Sequence, residues 1–378
     1  MDISFIGDIS FTGSFGKKVI DNSISNSIIS NEITEVFVNS DYTICNLEGP
    51  TTKEECMKSK ILTVKSPLDT IEYLKNKKIN VCGLANNHMF DAGYKGFKDT
   101  EKKLKLNKVK YFGAGNNITE ASSILYLKKK DVSIAIIGVG HNDGLVASKK
   151  TPGIFSYIQE DILKKQIKEA KNNVDWVIIS CHSGPEFNFY PTPIVRNRMN
   201  KILKFGADIV IGHHSHTMQG VERIGNNKLI VYSLGNFIFD LSPQRKKKDY
   251  NIGLIASFEF NKKSYAVKYQ PVTIDYKTSK VEFAPKKYSA KLNEISDFLN
   301  YKKKIASDSI RVIFFNPFLP KKVNYFLFIY ILFYPFVIGY KIYLYSGYSR
   351  EFVDVILKHY KLSFLKKILK KDNFYINN

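Results

Sequence analysis

From residue 1 to about 240, short apolar runs alternate with lysine-rich amphipathic segments, and this alternation constrains the fold more than any other feature. The runs ISFIGD, INVCGLA, SIAIIGVG, DWVIISCHS, ADIVIGHH and KLIVYSLGN have the length and composition of strands. Between them, segments 68–78, 97–106, 161–172 and 194–205 carry apolar residues at helical spacing. Strands separated by helices build βαβ units, so the expectation is an α/β fold with helix-covered sheets. From about 250 to 285 the runs LIASFEF, YAVKYQPVTI and KVEFA follow without helices between them. They are expected to complete a second sheet packed on the first. Residues 290–306 read as a charged helix. The expected organisation is a domain over 1–290, a helical linker over 291–309 and a separate tail over 310–378.

Composition narrows the class. With 44% hydrophobic residues in 378, a packed core is within reach and disorder is excluded. Only one apolar stretch approaches spanning length, which excludes a polytopic membrane protein. The four cysteines, Cys45, Cys56, Cys82 and Cys181, show no CxxC spacing, and three lie in apolar runs. They read as reduced core residues. Met1 leads directly into the first strand without a basic or apolar leader, so no cleavable signal peptide is expected and the cytoplasmic side is favoured.

The formal charge of +22 does not by itself choose among nucleic acid, anionic lipid and anionic substrate. Its distribution is more informative. Residues 310–378 hold eleven basic and three acidic side chains beside the most apolar run of the chain. The run 323–340 would be about 27 Å long as a helix, marginal against a hydrocarbon core of about 30 Å. It holds Pro335, many tyrosines and lysines at both ends. Interfacial insertion, a true span and a soluble packing helix all remain open. The following KLSFLKKILKK is a basic amphipathic helix of the kind that binds anionic lipid. Residues 323–378 are therefore expected to associate with a membrane surface. Elsewhere the lysines are dispersed over helix faces and no nucleic-acid module is visible, so nucleic acid is not expected as a partner.

Chemistry-bearing residues cluster at strand exits. Asp8 ends the first strand. Asn46 and Glu48 follow TIC, and Asn87, His88 and Asp91 follow INVCGLA. His182 and Glu186 follow VIISC, and His213, His214 and His216 follow ADIVIG. Each alone is an ordinary turn or loop residue. Five of seven histidines at strand ends is another matter, because strands of one orientation would gather them at one sheet edge. Mixed Asp/Glu/Asn/His ligation without cysteine suits Mn, Fe or Zn in a hydrolytic site, with one or two ions. Arg196 and Arg198 could hold a phosphate or carboxylate, or lie on a solvated helix face.

The ordered motifs GDISFTG, NLEGP, ANNHMFDAG, HSGPE, GHHSHTMQGVE and YSLGNFIFD resemble the capsule-synthesis CapA family, associated with poly-γ-glutamate and similar to calcineurin-like metallophosphatases. The resemblance covers roughly residues 2–240. It implies a two-layer β-sandwich flanked by helices, with two metals at the strand ends. It assigns Asp8 and His216 to the first metal, Glu48 to the bridge, Asn87 to an amide ligand, and His182 and His214 to the second metal. His88 becomes the catalytic imidazole. Beside what the resemblance assigns, Asn46, Asp91, Glu186, Arg196 and His213 are read from their positions in the sequence as substrate-binding or supporting residues. Two departures stand out: Asp8-Ile9-Ser10 lacks the histidine of D-x-H, and Asn46-Leu47-Glu48 replaces G-D-x-x-D.

The function this implies is a metal-dependent hydrolase with phosphoester-type chemistry, acting on an anionic, polymer-related substrate in capsule or envelope synthesis. The alternative is a membrane-associated accessory subunit of such a synthesis complex, keeping the fold without robust turnover.

Overall fold

In the computed structural model, each apolar run of the first 240 residues forms a strand and each expected helix forms within a few residues of its predicted bounds. The structure describes residues 1–20, 28–57, 62–241, 245, 249–298, 301 and 304–305. The first sheet contains β1 (Asp2–Ile9), β2 (Tyr42–Leu47), β3 (Val81–Gly83) and β4 (Lys110–Phe112), all parallel. The second contains β7 (Val132–Gly140), β9 (Trp176–His182), β10 (Ile209–His213) and β12 (Lys228–Val231), again parallel, with antiparallel strands at its edges.

Period-two alternation divides each central strand between two cores. Ile3, Phe5, Ile44 and Val81 of the first sheet face Ile134, Ile136, Ile178, Ile209 and Ile211 of the second, forming the seam between them. Their sequence neighbours point outward under helices. Cys45, Leu47 and Cys82 pack with α4 (Gly93–Leu106). Ala135, Val177, Ile179 and Val210 pack with α6 (Glu160–Asn173) and α7 (Pro193–Lys204). The result is the two-layer sandwich flanked by helices. Strands buried on both faces explain why these runs read as continuous apolar blocks.

The helices follow from local chemistry. In α7, Thr192 accepts a hydrogen bond from the Val195 N–H at 3.4 Å, and Pro193 occupies the first turn, where its missing N–H costs nothing. Val195, Met199, Ile202 and Leu203 then form one buried face.

One expectation is corrected. The strands after 250 do not complete the second sheet. Instead β14 (Ile252–Phe260) pairs antiparallel with β1, and β15 (Tyr265–Asp275) and β16 (Lys280–Phe283) extend the first sheet from there. β14 thereby covers the backbone edge that β1 would otherwise expose. The second sheet is built from residues 125–231. The strand-end residues consequently come from two facing sheets and not from one sheet edge. In the segment expected as a linker, α8 (Lys287–Ile295) begins earlier, and its Leu292 and Ile295 are buried in the inter-sheet core. Tyr301 donates to the Pro191 carbonyl, and Ile305 is fully buried. The tail 310–378 lies outside the described residues. Among the described residues, no helix is long and apolar enough to cross a membrane.

Candidate metal centre

The C-terminal ends of the parallel strands of both sheets meet, and there the polar residues gather. Asp8 is seated by a close backbone approach. A Cβ on Gly7 would lie 2.0 Å from the Gly235 carbonyl oxygen, and the Asp8 N–H donates to that same oxygen at 2.8 Å. Parallel register sets Asn46 beside Asp8 and His213 beside His182. Beyond β10 the chain turns sharply, with His214 at φ 87° and His216 at φ 54°. Left-handed backbone at two histidines is uncommon and costly, and such conformations concentrate at functional sites. Here the turn aims the His214 N–H at Asp8 Oδ2, 3.2 Å away.

The Asp8 carboxylate also accepts from Asn46 Nδ2 at 2.9 Å and meets His213 Nδ1 at 3.1 Å and His216 Nδ1 at 3.6 Å. His182 Nε2 faces Asn87 Oδ1 at 2.9 Å, and its Nδ1 faces Asn46 Nδ2 at 3.2 Å. His88 is fixed through Nδ1, 2.6 Å from Asp91 Oδ2, while Asp91 also accepts from the Val64 N–H at 2.8 Å. That leaves His88 Nε2 turned toward Glu48 Oε1 at 3.9 Å. His216 is held likewise, Nδ1 on Asn236 Oδ1 at 2.8 Å and Nε2 toward Glu48 at 3.5 Å. An imidazole oriented through one nitrogen, with the other aimed inward, is the usual preparation of a metal-ligating histidine.

Electrostatics point the same way. Burial pushes the Glu48 carboxyl well above its ordinary value, and the neighbouring carboxylates of Asp8, Glu186 and Asp91 add to the effect. Burial also opposes ionisation of Asp8, but the His213 hydrogen bond and charge, with His216 and Asn46, outweigh it and hold that carboxyl low. Burial and the surrounding imidazoles push His182 well below its usual range, and burial takes His214 down to about 4. Neutral imidazoles and a carboxylate beside them are the protonation states that ligate divalent ions.

The donor set fits such an ion. Both Glu48 carboxylate oxygens and His214 Nδ1 are buried with no hydrogen-bond partner among the described residues. Leaving these atoms unmatched is costly unless something else satisfies them. Ligand atoms within 4.8 Å of one another fall into two groups, Asp8–Glu48–His182 and Glu186–His214–His216. This division pairs His214 with His216, whereas the resemblance pairs it with His182. The groups adjoin, because the His182 and His214 rings are 4.6 Å apart.

Asp8, Asn46, Glu48, Asn87, His88, Asp91, His182, Glu186, His213, His214 and His216 thus lie in one neighbourhood. Arg196 does not join them: it forms a two-pronged pair with Glu222 and stacks on Phe298 and Tyr301. Asn236 was not singled out from sequence. It belongs to the quoted YSLGN motif, but an uncharged amide carries no signal until His216 is seen against it.

A family profile described as bacterial capsule synthesis protein PGA_cap matches residues 2–241. The capsule biosynthesis protein CapA of Bacillus anthracis is 33% identical over 257 residues, covering 65% of this chain and 62% of that protein. The PGA biosynthesis protein CapA of Bacillus subtilis is 33% identical over 245 residues, covering 64% and 63%. The chain thus spans less than two thirds of the length of these relatives. Among solved structures, the NAD nucleotidase of Haemophilus influenzae aligns with TM-score 0.41 at 10% identity, covering 78% of this chain and 62% of that one.

Proposed function

The chain belongs to the bacterial capsule synthesis protein family matched over residues 2–241, and from that premise we propose that it is a divalent-metal-dependent hydrolase with phosphoester-type chemistry. Its substrate is an anionic molecule related to the capsule polymer, poly-γ-glutamate being the polymer linked to the family. The observation that carries this reading is the buried Glu48 carboxylate, without a donor among the described residues, facing two imidazoles that are each anchored from behind.

Asp8, Glu48, Asn87, His182, His214 and His216 would hold one or two ions of the Mn, Fe or Zn type, with Glu186 completing the second group. Bound there, a divalent ion supplies Lewis acidity and a nucleophile from water at neutral pH. His88 is the proton carrier. Asp91 holds its Nδ1, so Nε2 projects into the site, where it can protonate a leaving oxygen. Asp91 itself is fixed by the Val64 N–H, which keeps the imidazole from swinging away.

The test is metal quantification on the purified protein, joined to a screen of phosphomonoester, phosphodiester and amide substrates. Bound divalent metal and hydrolysis lost in His88→Ala and His214→Ala are expected. Metal-free protein, or turnover indifferent to both substitutions, would sink the proposal.

One observation favours a second reading, an accessory subunit of an envelope-polymer synthesis complex. The position two residues after Asp8 offers no second histidine: Ser10 Oγ lies 3.4 Å from Ser66 Oγ. A centre short of one histidine can keep the fold and bind a partner without fast turnover. Under either reading the basic tail, outside the described residues, is proposed to bring the domain to an anionic membrane surface.

A further inference from the structure

Arg196 and Arg198 sit two positions apart on α7 and so leave the helix in different directions. Arg196 is consumed by Glu222. Arg198 is half-buried, and its guanidinium carbon lies 3.5 Å from the centre of the Tyr157 ring. Among the described residues no carboxylate, carbonyl or hydroxyl accepts a hydrogen bond from it. A guanidinium carries five N–H donors in one plane. Stacking on an aromatic face satisfies none of them; it holds the guanidinium against the ring and leaves its N–H edge to other partners.

On its edge, Tyr157 meets the imidazole of His141, with ring centres 5.6 Å apart. His141 Nδ1 is paired with Asp143 at 2.8 Å, so that carboxylate is turned to the imidazole. The group is tied to the metal centre by backbone. The His141 N–H donates to the His182 carbonyl at 3.0 Å, and the Tyr157 N–H donates to Gly140 at 3.2 Å, the residue in register with His182. The loop that carries His141 also rests on Asn87, since a Cβ on Gly144 would be 2.9 Å from the Asn87 Cα.

We propose that Arg198, laid flat on Tyr157 beside His141, is an oxyanion-binding subsite at the rim of the metal centre. It holds an acidic group of the substrate one or more units away from the bond that reacts. Carboxylate and phosphate both fit a guanidinium fork, so the shared chemistry is a planar or tetrahedral oxyanion. One such subsite beside a metal centre selects a chain with repeated acidic groups over an isolated monoester. This location rests on the proposed metal centre; the binding itself does not.

The experiment therefore begins with full-length protein stripped of divalent ions by chelator, titrated separately with inorganic phosphate and with a γ-linked glutamate trimer. Wild type is expected to bind, Arg198→Met to lose at least tenfold in affinity, and Arg198→Lys to lose severalfold because a point charge lacks the fork. Lys165→Met, an exposed lysine on α6, should match wild type. With metal restored, Arg198→Met should raise KM for the acidic oligomer at least tenfold, and Lys165→Met should leave it near wild type. The oligomer binding more tightly than phosphate would identify the polymer as the source of the anion, and the reverse order a phosphate group; each supports the subsite. Unchanged affinity in both Arg198 variants, or an equal loss in Lys165→Met, overturns it. If anion binding depends on Arg198 while no substrate is turned over, the subsite stands and the hydrolase reading falls.

Discussion

The two carboxylate oxygens of Glu48 lie in the interior between His88 and His216 without a hydrogen-bond donor among the described residues. In metal-free protein this arrangement stabilises nothing, so Glu48→Gln should shift metal-free stability by less than about 1 kcal/mol. The same change should weaken divalent metal binding at least tenfold. Thermal unfolding with and without chelator, beside metal titration, checks both; wild-type metal affinity in the variant would remove Glu48 from the ligand set. Asp91 touches His88 and not the proposed ions. Asp91→Asn is therefore expected to lower kcat by about tenfold to a hundredfold while metal content and KM stay near wild type. Metal loss in that variant would show that Asp91 supports the ligands directly. At this scale the carboxylates and imidazoles were legible in the sequence, because strand exits of an α/β sheet advertise where polar groups will gather. Asn236 was not, nor was the difference between Arg196 and Arg198. Two arginines in one helical turn look alike until Glu222, separated from Arg196 by 26 positions in sequence, is found beside one of them.

At the scale of elements, β1 and the Gly235 turn approach so closely that Gly7 has no room for a side chain. Gly7→Ala should cost at least about 2 kcal/mol by overpacking, read as a lower denaturation midpoint, with weaker metal binding because Asp8 is displaced. A variant as stable as wild type would show that the two segments part easily. Helix α4 is pinned to β4 through Glu101, which meets Lys98, Lys105 at 2.8 Å and the Tyr111 hydroxyl at 2.9 Å. Burial opposes ionisation of Glu101, yet hydrogen bonds from Lys105, Lys98 and Tyr111 hold its pKa at about 2, below the ordinary 4.5. A depressed carboxyl stabilises the fold above its unfolded value, so this contribution is complete above pH 4.5 and fades as pH falls toward 2. With both lysines partly exposed to solvent, on the order of 1–2 kcal/mol is at stake. Acid titration of stability should show that loss in wild type and a flatter profile in Glu101→Gln; parallel profiles would refute the assignment. The existence of these elements was readable from periodicity, but the sheet that β14 to β16 join was not. Alternation tells a strand that it has two faces, and is silent about which edge it will pair with.

For the whole molecule, Leu292 and Ile295 of α8 help close the inter-sheet core, Tyr301 lies against Arg196 of α7, and Ile305 is buried. A chain ending at residue 305 should fold and keep wild-type metal binding, whereas one ending at 286 should lose several kcal/mol, at roughly 2 kcal/mol per large buried side chain. The loss in the shorter chain is read by denaturant unfolding; equal stability of the two chains would return the segment to the status of a linker. The chain ending at 305 should also fail to sediment with anionic vesicles that capture the full-length protein, in keeping with the proposed role of the basic tail. Equal capture of both would place the membrane contact elsewhere. What the sequence by itself determined is the inventory: which runs are strands, which segments cover them, and which carboxylates, amides and imidazoles stand at the strand exits. Those properties are local, set by periodicity and by the residue that follows each apolar run. Only the tertiary structure decided that two sheets, and not one, deliver those residues to a common site. It alone divided the ligands into two adjoining groups, left Glu48 without a donor, and spent one arginine on an ion pair while freeing the other. These outcomes depend on pairings between segments distant in sequence, and no local pattern encodes the partner.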